Sequence, residues 1–122
     1  MGKITAVSPL APEKFPDLPV IDGVRFATIA AGVRYQGRTD VMLAELAPGS
    51  TIAGAFTKSA TRAAPVLDCQ AKIGGTSDTG AAILVNSGNA NAFTGKGGVT
   101  AVEAITAAVA KVCDIPQSRV FT

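Results

Sequence analysis

Ala81-Ala82-Ile83-Leu84-Val85-Asn86-Ser87-Gly88-Asn89-Ala90-Asn91-Ala92-Phe93-Thr94-Gly95-Lys96-Gly97-Gly98 joins a short apolar run to a loop carrying three Asn and four Gly. Residues 81 to 85 have the length and composition of a strand buried on both faces. Beyond the loop, Thr100 and Glu103 form a capping-box pattern, and Val102, Ile105, Val109 and Val112 fall on one stripe. That spacing predicts a helix beginning near Thr100 and ending ahead of Pro116. Strand, polar loop and helix in this order indicate a layered α/β architecture.

Working outward, residues 74 to 80 read as a polar loop. Pro65 sits where a first helical turn accepts it, Val66, Cys69 and Ile73 follow at helical spacing, and Gly74-Gly75 closes a short helix over 65 to 73. Residues 51 to 57 place Ile52, Gly54 and Phe56 on one face, which predicts a strand after the turn cluster Ala47-Pro48-Gly49-Ser50. Residues 24 to 33 and 40 to 46 predict the two arms of a hairpin, turning through Gln36-Gly37-Arg38 with a loop of about five or six residues. Pro9, Pro12, Pro16 and Pro19 keep residues 1 to 19 extended, as an arm lying on a surface. Arg119-Val120-Phe121-Thr122 begins a further strand-like run. The expected organisation is an arm over 1 to 19 and an incomplete α/β domain over 20 to 122.

Composition narrows the function classes. With 5 Phe, 1 Tyr and no Trp, the core must be filled by Ala, Val, Ile and Leu, a light core for one domain of 122 residues. Lys and Arg number 11 against 9 Asp and Glu, and they are scattered, so no nucleic-acid partner is expected. No apolar stretch follows Met1-Gly2-Lys3 and no run approaches the ~20 residues of a membrane span. A cytoplasmic location without membrane contact is expected. Cys69 and Cys113 are not in a CxxC pair, which favours reduced thiols over a disulfide or a metal framework.

The chain has no His. Ser-His and Cys-His nucleophile pairs are therefore excluded, and Ser87, Cys69 and Cys113 have no activating base that the sequence can name. Val85 stands where a nucleophile elbow needs its first Gly. The P-loop pattern fails because six residues separate Gly88 from Gly95 and Gly97 occupies the Ser/Thr position. Asn86, Asn89 and Asn91 admit two readings: amides that stitch a tight, partly buried turn, or amides that meet a substrate. Lys58 and Arg62 likewise read either as solvated charges at a helix entrance or as groups steering an anion.

The string V-N-S-G-N-A-N-A-F-T-G, running from Val85 to Gly95, closely resembles the Asn-rich signature of the ornithine acetyltransferase family, the bifunctional glutamate N-acetyltransferases of arginine biosynthesis. Phe56-Thr57-Lys58 with Arg62-Ala63-Ala64-Pro65-Val66 resembles that family's stretch before its first helix. Residues 24 to 46 look like its opening hairpin. The resemblance implies the layered α/β sandwich of the self-cleaving ornithine acetyltransferases and aminopeptidases, here as an amino-terminal portion of the α chain.

In that family a precursor cuts itself into α and β chains, and the Thr exposed at the β-chain terminus is the nucleophile, its own α-amine serving as base. By resemblance, that Thr takes an acetyl group from N-acetylornithine and passes it to glutamate with no bound cofactor, acetyl-CoA being a possible further substrate. The assembly implied is an α2β2 heterotetramer. No catalytic residue is expected in this chain, since Thr122 has no free α-amine beside it. Asn86, Ser87, Gly88, Asn89 and Asn91 are expected to scaffold the substrate pocket, with no metal. Two other readings stand beside this one: a phosphate- or nucleotide-binding module using the Gly95 to Gly98 loop, and a related self-cleaving aminopeptidase.

Overall fold

Ala81 and Ala82 have no exposed surface, and neither does Val120, so the interior is centred on the seam between the strands that carry them. The computed structural model describes residues 6–122. Its single sheet has the order β1 (Val24–Ile29), β2 (Val41–Leu46), β3 (Ala81–Asn86), β4 (Val120–Phe121). β1 and β2 pair antiparallel, as do β2 and β3, whereas β3 and β4 are parallel, with Ala82 opposite Val120 and Ile83 opposite Phe121. Parallel pairing requires a crossover, and α2 (Gly95–Cys113) supplies it. A shorter helix, α1 (Ala64–Lys72), packs on α2 and along β4.

The register sorts the sheet into two faces. Val41, Leu43, Ala82, Leu84 and Val120 share one, and α2 lies over it. Gly98, Val102 and Thr106 are the buried line of α2. Thr106 tolerates its position because its hydroxyl donates to Val102 O at 2.9 Å, and Gln117 Nε2 reaches its Oγ1 at 2.9 Å. On α1, Lys72 Nζ donates to Asp68 Oδ2 at 2.6 Å and to Val120 O at 3.1 Å, which ties the helix to the outer edge of β4. Arg119 is buried and sends Nη2 to Ser50 O at 2.7 Å, pinning the start of the long connection between β2 and α1.

Several expectations need correction. Residues 51–57 form no strand. The Phe56 ring folds back to where a Gly54 Cβ would stand, and no strand among the described residues offers the segment a ladder. The hairpin loop spans residues 30–40 rather than five or six, because Asp40 draws the backbone of Ala31 and Val33 out of the ladder. β3 is buried on both faces only at its start, and Val85 is 46% exposed. α2 starts at Gly95, so Thr100 lies inside the helix and caps nothing; the N-cap is Thr94. Ile105 and Val112 are exposed, the buried line running one step round the helix from the expected stripe. Residues 6–22 form no helix or strand and are exposed; the first five residues of the arm lie outside the described residues.

Candidate functional site

Two loops and the amino terminus of a helix meet at one end of the sheet. Because β3 and β4 are parallel, both finish there; because β2 is antiparallel to β3, with Val41 opposite Asn86, the hairpin loop of residues 30–40 arrives at the same edge. The Asn-rich loop then leads directly into α2, which brings the amino terminus of that helix to this edge as well. Adjacent carboxyl ends of parallel strands are where open α/β sheets place their ligands.

Asp40 is the hub. It is only 4% exposed, its two carboxylate oxygens each accept a backbone N–H, from Ala31 and Val33, at 2.7 Å, and its carbonyl accepts Ser87 N–H at 2.8 Å. Charge-assisted bonds to backbone N–H groups are among the stronger ones in a protein, so this residue locks the hairpin loop to the Asn-rich loop. Gly88 completes the join. Its φ of +92° is in the left-handed region, and a Cβ there would lie 2.8 Å from Tyr35 Cε2, so only glycine admits the tyrosine ring.

Two of the three Asn side chains, those of Asn86 and Asn91, behave as stitches. Asn86 Nδ2 donates to Asn89 O at 3.1 Å and Asn91 Nδ2 to Gly98 O at 2.9 Å, while Thr94 Oγ1 donates to Asn91 Oδ1. Gly98 is buried under that cluster, and a Cβ on it would overlap Thr94 and Asn91. Asn91 is half-buried, whereas Asn86, Ser87, Gly88 and Asn89 are exposed, so the turn is stitched but more open than its sequence suggests. The segment 95–98, expected as a loop, is the first turn of α2. Asn86, Asn89 and Asn91 also line a cleft of about 530 Å3, floored by Val41 and Leu84 and flanked by Ala101 and Ile105 of α2. Its polar lining is entirely neutral amide, hydroxyl and backbone, over an apolar floor.

Sequence reasoning passed over the residues on the cleft's outer side. Val33 lines it, and the next residue, Arg34, points Nη1 to Gly88 O at 3.4 Å. Tyr35 carries the Arg34 guanidinium 5.8 Å and the Arg38 guanidinium 4.7 Å from its ring centre. The only signal was Asp40, a lone acid closing the Gly- and Arg-containing stretch from Gly32 to Thr39 and so an acceptor placed to organise a loop. Phe93 is 87% exposed with φ +57°, an uncommon backbone for an aromatic residue. Arg62 lines a smaller cleft with Phe93 and Thr94 while bonding Gln70 Oε1 at 2.9 Å; Lys58 stays exposed.

The opposite end of the sheet holds a second cleft of about 490 Å3, with the Arg25–Glu45 ion pair at 2.6 Å and Cys113 in its wall. Burial pushes the Cys113 thiol up, Glu45 adds to the rise and Arg25 opposes it. A thiol held protonated is a poor nucleophile. Cys69 Sγ donates to Thr122 O at 3.4 Å, and Thr122 Oγ1 is buried without a partner among the described residues. Among the described residues no His, Cys, Asp and Glu side chains group to hold a metal ion, and no helix is long and apolar enough to cross a membrane.

The fold and its loop cluster define an α/β protein whose parallel strand ends open on one cleft of small-molecule size. A model of the ArgJ family matches residues 25–122, and the chain belongs to that family. It is 73% identical over all 122 residues to the arginine biosynthesis bifunctional protein ArgJ of Ruegeria pomeroyi and 52% identical over 119 residues to that of Nitrobacter winogradskyi. All of this chain matches the first and 96% the second, yet it spans only 30% and 28% of their lengths. The crystal structure of argJ from Bacillus halodurans superposes with a TM-score of 0.71 at 30% identity, covering 82% of this chain and 51% of that one. Ornithine acetyltransferase of Mycobacterium tuberculosis, solved in complex with ornithine, gives 0.68 at 33% identity, covering 82% of this chain and 54% of that one. The α/β fold expected from the sequence is shared with both.

Proposed function

We propose that this chain is the amino-terminal α/β scaffold of an acetyltransferase of arginine biosynthesis that moves the acetyl group of N-acetylornithine to glutamate. The observation that carries this reading is the 73% identity, unbroken along the chain, to a bifunctional arginine biosynthesis protein. The relative solved with ornithine bound supports the substrate class.

The chemistry runs in two halves. A Thr hydroxyl from polypeptide beyond these residues attacks the acetyl carbonyl; the amide bond breaks, ornithine leaves with the proton on its amine, and an acetyl ester remains. The α-amine of glutamate then attacks that ester, giving N-acetylglutamate and restoring the hydroxyl. Self-cleavage frees the Thr amine to act as base, the working assembly is α2β2 in the cytoplasm, and no resident cofactor takes part. Residues of this chain position rather than react. Ser87 and Thr122 have no hydrogen-bonded base among the described residues, and the Cys113 thiol is held protonated at neutral pH. Asn86, Ser87, Gly88, Asn89 and Asn91 shape the wall of the cleft where the strands end.

The test is an assay of the longer polypeptide containing these residues. Acetyl transfer from N-acetylornithine to glutamate is expected, with an acetyl-sized mass gain on one Thr outside residues 1–122. The 122-residue chain alone is expected to be inactive; transfer by it unaided overturns the reading.

A further inference from the structure

Acidic side chains are divided unevenly between the two ends of the sheet. Asp22, Glu45, Asp78 and Asp114 belong by position to the end opposite the Asn-lined cleft, flanking the starts of β1 and β3 and the ends of β2 and α2. At the cleft end the one acid of the hairpin loop, Asp40, is buried with both carboxylate oxygens bonded to backbone N–H groups. Arg34 and Arg38, both exposed, have no carboxylate within ion-pair distance among the described residues. Lys96 and the positive end of α2 add to the same field.

The two guanidinium groups are also held rather than free. Each lies over the face of Tyr35, Arg38 at 4.7 Å and Arg34 at 5.8 Å from the ring centre; the ring is seated on Gly88, and Arg34 Nη1 also donates to Gly88 O at 3.4 Å. A guanidinium held over a ring face keeps its planar fork of five N–H donors available at the edge, the geometry that meets a carboxylate. The cleft beside it has a neutral lining and so nothing of its own to pair with an anion.

We propose that Arg34 and Arg38, held over the Tyr35 ring, form a cationic rim that selects carboxylate-bearing small molecules for the Asn-lined cleft. The inference rests on the acetyl-transfer reading, because it assigns the rim to an amino-acid carboxylate of that reaction. The same chemistry would attract a phosphate of acetyl-CoA, so the experiment separates the two.

In the longer polypeptide, Arg34→Met and Arg38→Met are compared with Arg34→Lys using N-acetylornithine, its carboxamide analogue and acetyl-CoA as donors. For the carboxylate donor, each Met variant is expected to raise KM about three- to tenfold at low salt with kcat little changed. Arg34→Lys should recover part of that loss, and the carboxamide should be indifferent to all three changes. An equal KM change for carboxylate and carboxamide overturns the proposal, as does an effect confined to acetyl-CoA. Should the unaltered polypeptide transfer no acetyl group, the functional reading fails by itself. The rim is then decided by NMR titration of the same polypeptide with N-acetylglutamate and its diamide: selective shifts of the Arg34 and Arg38 side-chain signals by the acid sustain it, and equal or absent shifts overturn it.

Discussion

β1 and β3 are six-residue strands of one sheet, yet only one of them is inside. β3 lies between two strands and under α2, and its first two residues have no exposed surface. Among the described residues β1 has a partner on one edge only and no helix packed on it, so Phe26 is 69% and Ile29 61% exposed. Both strands are apolar enough to be core. Burial therefore follows from what covers a strand, and composition alone does not fix it.

The sharpest way to break that comparison is to place a charge in the covered half. Val120→Asp buries an unpaired carboxylate, and chemical unfolding is expected to show a loss of about 4 kcal/mol or more. Phe26→Ser, a similar insult in β1, should cost no more than about 1 kcal/mol. Similar losses at the two sites would mean that β1 is as well covered as β3. Between these extremes stands Asp40→Asn, which removes the anionic acceptor of two backbone N–H groups and should cost about 2 kcal/mol, with faster amide exchange at Ala31 and Val33. Gly98→Ala forces Thr94 and Asn91 apart and should cost about 1–3 kcal/mol, read as helix loss at the start of α2 by circular dichroism. The smallest effect concerns Cys113. Its thiol is raised in the folded state, so it favours folding below the ordinary thiol range and loses that contribution as pH climbs through its folded value. Alkylation of Cys113 should need a higher pH than alkylation of a free thiol, and Glu45→Gln should lower that requirement.

Legibility followed the range of the interactions concerned. The short helix α1 was readable from Pro65 and Gly74, both local devices, and its observed bounds lie within one residue of those expected. The start of α2 was not. Gly95, Gly97 and Gly98 argue against a helix by propensity, but Asn91 and Thr94 close over Gly98, and only a residue without a Cβ lets that happen. Residues 51–57 alternate as a strand should, yet alternation cannot supply a neighbour, and the sheet order leaves them none. In the candidate site the Asn-rich loop was visible as an unusual string, whereas Arg34, Tyr35 and Arg38 looked like ordinary loop residues.

The sequence by itself determined the class of fold, the two helices, the places of all four observed strands and the family, because each of these is written in local periodicity or in a contiguous string. Tertiary structure decided which strand is covered, where α2 begins, and that the hairpin loop and the Asn-rich loop share one cleft. Those outcomes depend on backbone groups and side chains about 50 residues apart, such as Asp40 and Ser87 or Tyr35 and Gly88, being brought together by strand register. Register is a property of the assembled sheet, and no single segment contains it.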